Sequence, residues 1–343
     1  MEWENRTNLT EFVLLGLSQS WEIQLLLFIC FLFLYVAALF NNIVILLAII
    51  RDPRLLNSPM FFFLGHLAFL DLCMANVTIP RAIVDFLIQR QAISFQDCMA
   101  QLFFLHFFGG SEMLLLMLMA YDRYVAICHP LHYASRMSRR HCIGFILVAW
   151  TGGLLHTSVQ LGFTVNAPFC GPNHVDNFFC DVPLLIKLAC TDNYNLEVMM
   201  VTNSGVMSLV GFVSLVLSYG LILSTICSRS TSEGTSKAIS TCTSHLIVVT
   251  MFFGPCIFIY LRPYTRYVFD KVLSVFYIAV TPSVNPTVYA LKNKEMKAAI
   301  GRLFERHSGV VSIQMATVHS GRLACWKHKK IHLPFKPSLI SGP

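Results

Sequence analysis

The feature that most constrains this chain is a set of seven long stretches almost free of Asp, Glu, Lys and Arg. They cover residues 23–50, 55–80, 98–121, 142–175, 198–228, 238–261 and 272–291. Only Asp71 interrupts the second and only Glu112 the third. A helix crossing about 30 Å of hydrocarbon needs roughly 20 mainly apolar residues, so each stretch is long enough to span. The fourth is longer than one span, and its last part must be loop. Composition agrees: 55% of residues are hydrophobic, 13% are charged and 28 are Phe, with a mean hydropathy of +0.63. That excludes a soluble domain, a disordered chain and a nucleic-acid-binding arm.

The basic residues orient the spans. With the N-terminus outside, the inner side carries 18 Lys and Arg and the outer side 7. Eight of the inner ones lie in short loops or span ends, where the positive-inside rule applies best. The net charge of +7 is therefore a topology signal. Residues 1–22 are acidic rather than basic and do not read as a cleavable signal peptide. Asn5-Arg6-Thr7 and Asn8-Leu9-Thr10 are glycosylation sequons on the outer side. The reading is an all-α membrane protein, a seven-transmembrane helix bundle. Residues 1–22 form a glycosylated outer segment, 23–293 the bundle, 294–304 an amphipathic surface helix and 305–343 a basic, disordered cytoplasmic tail. In that surface helix Met296, Ala299, Ile300, Leu303 and Phe304 share a face, which suits the inner leaflet.

Four of the 12 cysteines fall on the outer side: Cys98 at the top of the third span, and Cys170, Cys180 and Cys190 in the loop after the fourth. Four cysteines in an oxidising compartment make two disulfides, in any of three connectivities. Their spacings are not those of a zinc site, and no metal or other cofactor is expected. Asp71 and Glu112 are costly inside lipid and must face the bundle interior. Asn42 or Asn285, a shared proton or a sodium ion would stabilise them, and a hydrogen-bonded knot and a cation site both remain open.

Several motifs occur in order. They are Pro59-Met60-Phe61-Phe62-Phe63-Leu64 opening span two, and Met119-Ala120-Tyr121-Asp122-Arg123-Tyr124-Val125-Ala126-Ile127-Cys128 closing span three. Ser236-Lys237-Ala238-Ile239-Ser240-Thr241-Cys242-Thr243-Ser244-His245-Leu246 enters span six, followed by Phe253-Gly254-Pro255. Pro282-Ser283-Val284-Asn285-Pro286-Thr287-Val288-Tyr289 ends span seven. Together they resemble the rhodopsin-like G-protein-coupled receptors and, within them, the olfactory receptors, over about nine-tenths of the chain.

The resemblance implies a receptor for small volatile hydrophobic odorants that activates a stimulatory olfactory-type G protein and raises cyclic AMP. It implies a place in the plasma membrane, in the sensory cilia of olfactory neurons, among membrane lipid. Asp122, Arg123, Tyr124, Tyr219, Ser236, Lys237, His245, Asn285, Pro286 and Tyr289 stand where the family has its inner switch. Counting from the motifs places an odorant pocket at Phe104, Leu105, His106, Gly109, Gly110, Asn203, Val206, Met207, Phe252, Cys256, Ile257, Tyr260 and Ile278. His106, Asn203 and Tyr260 are its polar members, and each also reads as an interhelical hydrogen bond. Gly109-Gly110 reads as a close helix crossing ahead of added pocket volume.

The family's disulfides correspond to Cys98–Cys180 and Cys170–Cys190, with Cys98–Cys190 as the alternative. Leu105 stands where amine receptors of this class carry Asp, and span seven has no Lys for a retinal Schiff base. Asn177 replaces a His common in the family. No phosphate loop, zinc-protease or nucleophile-elbow pattern occurs, so no enzyme is expected. A seven-span transporter using Asp71 and Glu112, or a non-olfactory chemosensory receptor, is the alternative; a carrier should show internal repeats, and none is seen.

Overall fold

The computed structural model describes residues 9–88, 91–169, 173–190, 194–229, 232–262 and 268–305. Span one is Trp21–Arg51, span two Pro59–Ile88, span three Phe95–Cys128 and span four Arg139–Val165. Span five runs through Tyr194–Met200, a π-helical turn at Val201–Val206, and Met207–Arg229. Span six is Ser232–Tyr260, and span seven joins Val268–Val275, a second π turn at Phe276–Val280, and Thr281–Lys292. Residues 294–305 form a further helix. Among the described residues, five helices are long and apolar enough to cross a membrane, and span six adds a shorter apolar stretch, His245–Tyr260.

The spans start and stop for local reasons. Span one ends at Arg51, where Asp52 and Pro53 follow; the Asp52 carboxylate accepts from the Arg54 N–H at 3.0 Å and caps a short turn, Pro53–Leu56. Span three starts at Ser94, whose hydroxyl accepts from the Asp97 N–H at 3.0 Å. Span three is also the centre of the bundle: 56% of its most apolar stretch is buried, against 17% for span one, which mostly meets lipid.

Glycines let spans three and four touch. A Cβ on Gly153 would lie 2.7 Å from the Phe107 carbonyl oxygen, and one on Gly110 would lie 3.4 Å from the Gly153 Cα. Small residues allow such backbone approach where no water is present to drive helices together.

The outer face is covered by chain that the charge pattern did not reveal. Strand β1 (Glu11–Leu14) pairs antiparallel with β2 (Ala92–Ser94) and parallel with β3 (His174–Val175), making a three-stranded sheet over the bundle. Phe12 is fully buried there against Phe95 and Phe169. Gly16 turns the chain into span one with φ 69°, a conformation that favours glycine. Its carbonyl accepts from Lys271 of span seven at 3.0 Å, and Lys271 also pairs with Asp176 at 2.7 Å.

Candidate functional site

Three polar layers cross the otherwise apolar bundle. The outermost is built on the loop between spans four and five. Cys180 is bonded to Cys98, and the Cys180 N–H donates to the Gln101 side chain at 2.9 Å, so the loop is held on the top of span three. Cys190 is also disulfide-bonded; since Cys98 is taken by Cys180, the Cys98–Cys190 alternative falls. Cys170 lies outside the described residues. The segment before Cys180 enters the bundle: Phe178 packs edge-on against Phe31, and Phe179 against Tyr277.

Asp181, the next residue, is buried and gathers donors from three spans. The Tyr260 hydroxyl donates at 2.9 and 3.1 Å, the Tyr277 hydroxyl at 3.0 Å and the Val182 N–H at 2.8 Å. His106 Nε2 lies 3.3 Å away. A carboxylate has about four lone-pair sites, so Asp181 is satisfied by the protein and asks for no cationic ligand. On the same spans, Leu105, Phe252, Cys256 and Ile278 are buried. To one side Asn203 donates to the His156 carbonyl at 3.0 Å and to the Gln160 side chain at 2.8 Å.

The middle layer joins Asp71, Glu112 and Asn285, all buried. The Asn285 amide donates to Asp71 Oδ1 at 3.2 Å and to Glu112 Oε1 at 3.2 Å. Asn42 takes no part; it donates to the carbonyls of Ala38 and Pro282, each at 2.9 Å, and ties span one to span seven.

The inner layer holds Arg123. Its guanidinium donates to Asp122 at 2.8 Å, and the Tyr133 hydroxyl of the following loop donates to the other Asp122 oxygen at 2.8 Å. Burial, and then the Asp122 charge, push the Tyr133 phenol well above its ordinary pKa, so it remains a donor. Tyr219 and His245 are hydrogen-bonded between spans five and six. The Tyr124 hydroxyl meets His129 Nε2 at 3.2 Å.

This arrangement is a helix bundle crossed by an outer polar cluster on Asp181, a middle one on Asn285 and an inner ion pair, Asp122–Arg123. A family described as "Olfactory receptor" matches residues 30–307. The chain belongs to the olfactory receptor family. Among its relatives, Olfactory receptor 4K3 of Homo sapiens is 52% identical over 303 residues, covering 88% of this chain and 96% of that protein. Olfactory receptor 4K15 of Homo sapiens is 53% identical over 307 residues, covering 90% and 94%. Olfactory receptor 4E2 of Mus musculus is 49% identical over 302 residues, covering 88% and 97%. The chain is thus an odorant receptor of the G-protein-coupled class, a multi-pass membrane protein and not an enzyme. The transporter reading is set aside.

Most pocket positions counted from the motifs are turned into the receptor's interior. Leu105, His106, Phe252, Cys256, Tyr260 and Ile278 are buried, and Asn203, Met207 and Ile257 half-buried. Phe104 and Val206 instead face outward, at 45% and 42% exposure. Three consecutive residues, 104 to 106, cannot all face inward at about 100° per residue. At Val206 the π turn shifts the register of span five. Gly109 and Gly110 lie against Met74 and His156, at helix crossings. Asn177 is buried and hydrogen-bonded to Ser274. Pro286 lies inside span seven. The side chains of Ser236, Lys237 and Tyr289, and all of Asn5 and Asn8, lie outside the described residues.

Sequence reasoning missed Asp181, Tyr277, Tyr133, His156 and Gln160. For Asp181 a signal existed: a charged residue directly after a bridged cysteine is placed by the disulfide, not by its polarity.

Proposed function

We propose that the receptor binds small, neutral, mainly apolar odorants among spans three, five, six and seven below Asp181, and that binding activates a stimulatory olfactory-type G protein, raising cyclic AMP. The observation that carries this is the Asp181 node, which joins spans three, six and seven through His106, Tyr260 and Tyr277. An odorant seated beneath it favours whichever span arrangement it contacts best and shifts the population by that difference in affinity. At the inner end, the shift frees Arg123 from Asp122 for the G protein, with Tyr219, His245 and Tyr289 changing partners. Ser236 and Lys237 border the same crevice. The sequons at Asn5 and Asn8 carry glycans, the helix at 294–304 lies on the inner leaflet, residues beyond it form a basic tail, and the receptor works in the ciliary plasma membrane.

The test is cyclic AMP in cells expressing the receptor, a trafficking chaperone and the olfactory G protein, across a broad odorant panel. A dose-dependent response is expected, lost in Arg123→Ala at unchanged surface level. An Arg123→Ala receptor that signals as before would overturn the switch assignment. A response to permanently charged amines alone would overturn the neutral-ligand reading.

A further inference from the structure

At the inner membrane surface, the end of span one and the helix at 294–305 enclose a cleft of about 380 Å³. Its apolar lining is Ala48, Pro53, Ala299 and Leu303, and its charged lining is Arg51, Asp52, Arg54, Arg302 and Glu305. The charges are not all paired. Asp52 is used twice, by the Arg54 N–H and by the Arg302 guanidinium. These two hold its carboxyl below the usual carboxylate range. Among the described residues, the guanidiniums of Arg51 and Arg54 and the carboxylate of Glu305 have no hydrogen bond or ion pair.

Two cations without a hydrogen-bonded partner, of which Arg54 also feels the Asp52 charge, and one such anion thus border a cleft with a partly apolar lining. Arg51 is the last residue of a membrane span, so the cleft lies at headgroup depth. We propose that this cleft binds the headgroup of phosphatidylserine from the inner leaflet. Its phosphate and carboxylate meet Arg51 and Arg54, its ammonium meets Glu305, and its glycerol and upper acyl chain lie on Ala299 and Leu303. Guanidinium groups are matched to phosphate and carboxylate by their planar fork of donors. Other lipids fit less well. Phosphatidylglycerol offers no cation to Glu305, phosphatidylethanolamine leaves one guanidinium unmatched, and phosphatidylcholine has a methylated ammonium that cannot donate.

The full receptor, reconstituted in phosphatidylcholine nanodiscs with equal minor fractions of phosphatidylserine, phosphatidylethanolamine and phosphatidylglycerol, is transferred to detergent. Retained lipids are then counted by native mass spectrometry. Phosphatidylserine is expected to be enriched over the other three. Arg51→Gln and Arg54→Gln should each lower that enrichment about fivefold, the effect of one basic residue near the surface. Those arginines also anchor span one, so Glu305→Gln is the independent arm: it should raise phosphatidylglycerol to the level of phosphatidylserine without lowering total retention. Equal retention of phosphatidylserine and phosphatidylglycerol by the unaltered receptor would overturn the proposal. So would unchanged selectivity in Glu305→Gln, or displacement of the lipid by soluble glycerophosphoserine.

Discussion

Asn285 has one side-chain nitrogen for two buried carboxyl groups, and no other side chain among the described residues hydrogen-bonds to either. Its removal would leave Asp71 and Glu112 facing each other without a shared donor. Losing a buried hydrogen-bond partner costs about 1–3 kcal/mol, and here two acceptors lose theirs together. Asn285→Ala should therefore lower the thermal midpoint of purified receptor clearly below that of the unaltered protein. Adding Asp71→Asn should restore part of the loss, because the new amide can donate to Glu112 in place of Asn285. A double variant no more stable than Asn285→Ala would show that the carboxyls do not act on each other through this site. The sequence named all three residues, since ionisable groups in lipid identify themselves by cost. It did not tell Asn42 from Asn285, because both lie in apolar spans and only the packing decides which one reaches the acids.

The seven spans were legible because lipid imposes one rule on all of them, a run of apolar residues long enough to cross. The π turns at Val201–Val206 and Phe276–Val280 were not, since an extra residue in a helical turn leaves no mark in composition. Helix crossings lie between these cases. Gly110 was recognised as a crossing residue, but its partner Gly153 could be found only from the structure. A Cβ at Gly153 would meet the Phe107 carbonyl at 2.7 Å and the Ser111 nitrogen at 2.8 Å, both backbone atoms. Gly153→Ala must therefore part spans three and four, at about 1–3 kcal/mol for overpacking, and should reduce surface staining and thermal midpoint together. Gly162→Ala, on the same span with nothing within 4 Å of the added carbon, is the control and should leave both unchanged or slightly raised, as alanine favours helix. Equal behaviour of the two variants would mean that the crossing tolerates a wider separation than the glycine contact indicates.

At the scale of the whole molecule, the receptor is closed from outside by pieces far apart in sequence. The sheet brings together residues 11–14, 92–94 and 174–175, the Cys98–Cys180 bond fixes the loop to span three, and Lys271 ties span seven to both Gly16 and Asp176. The Cys98–Cys180 bond was expected from the family resemblance, but the sheet and the Lys271 ties were not legible, because strands of two to four residues are set by their partners rather than by their own pattern. The described part of the N-terminal segment, which sequence treats as a glycan carrier, is by structure the central strand of the outer sheet. Phe12 is its anchor, fully buried with its ring 6.0 Å from Phe95 and 5.6 Å from Phe169. Truncating a buried Phe to Ala costs about 3–5 kcal/mol, but that loss need not fall on the whole fold. Phe12 sits at one end of the main core cluster, most of which lies within the spans, so Phe12→Ala should detach the outer strand before it unfolds the spans. The expected result is an accessible outer face: faster cleavage of intact cells' receptor between residues 9 and 20 by an added protease, and weakened odorant potency, with a smaller change in the thermal midpoint. Protection and potency equal to those of the unaltered receptor would show that the strand rests on the bundle without closing it.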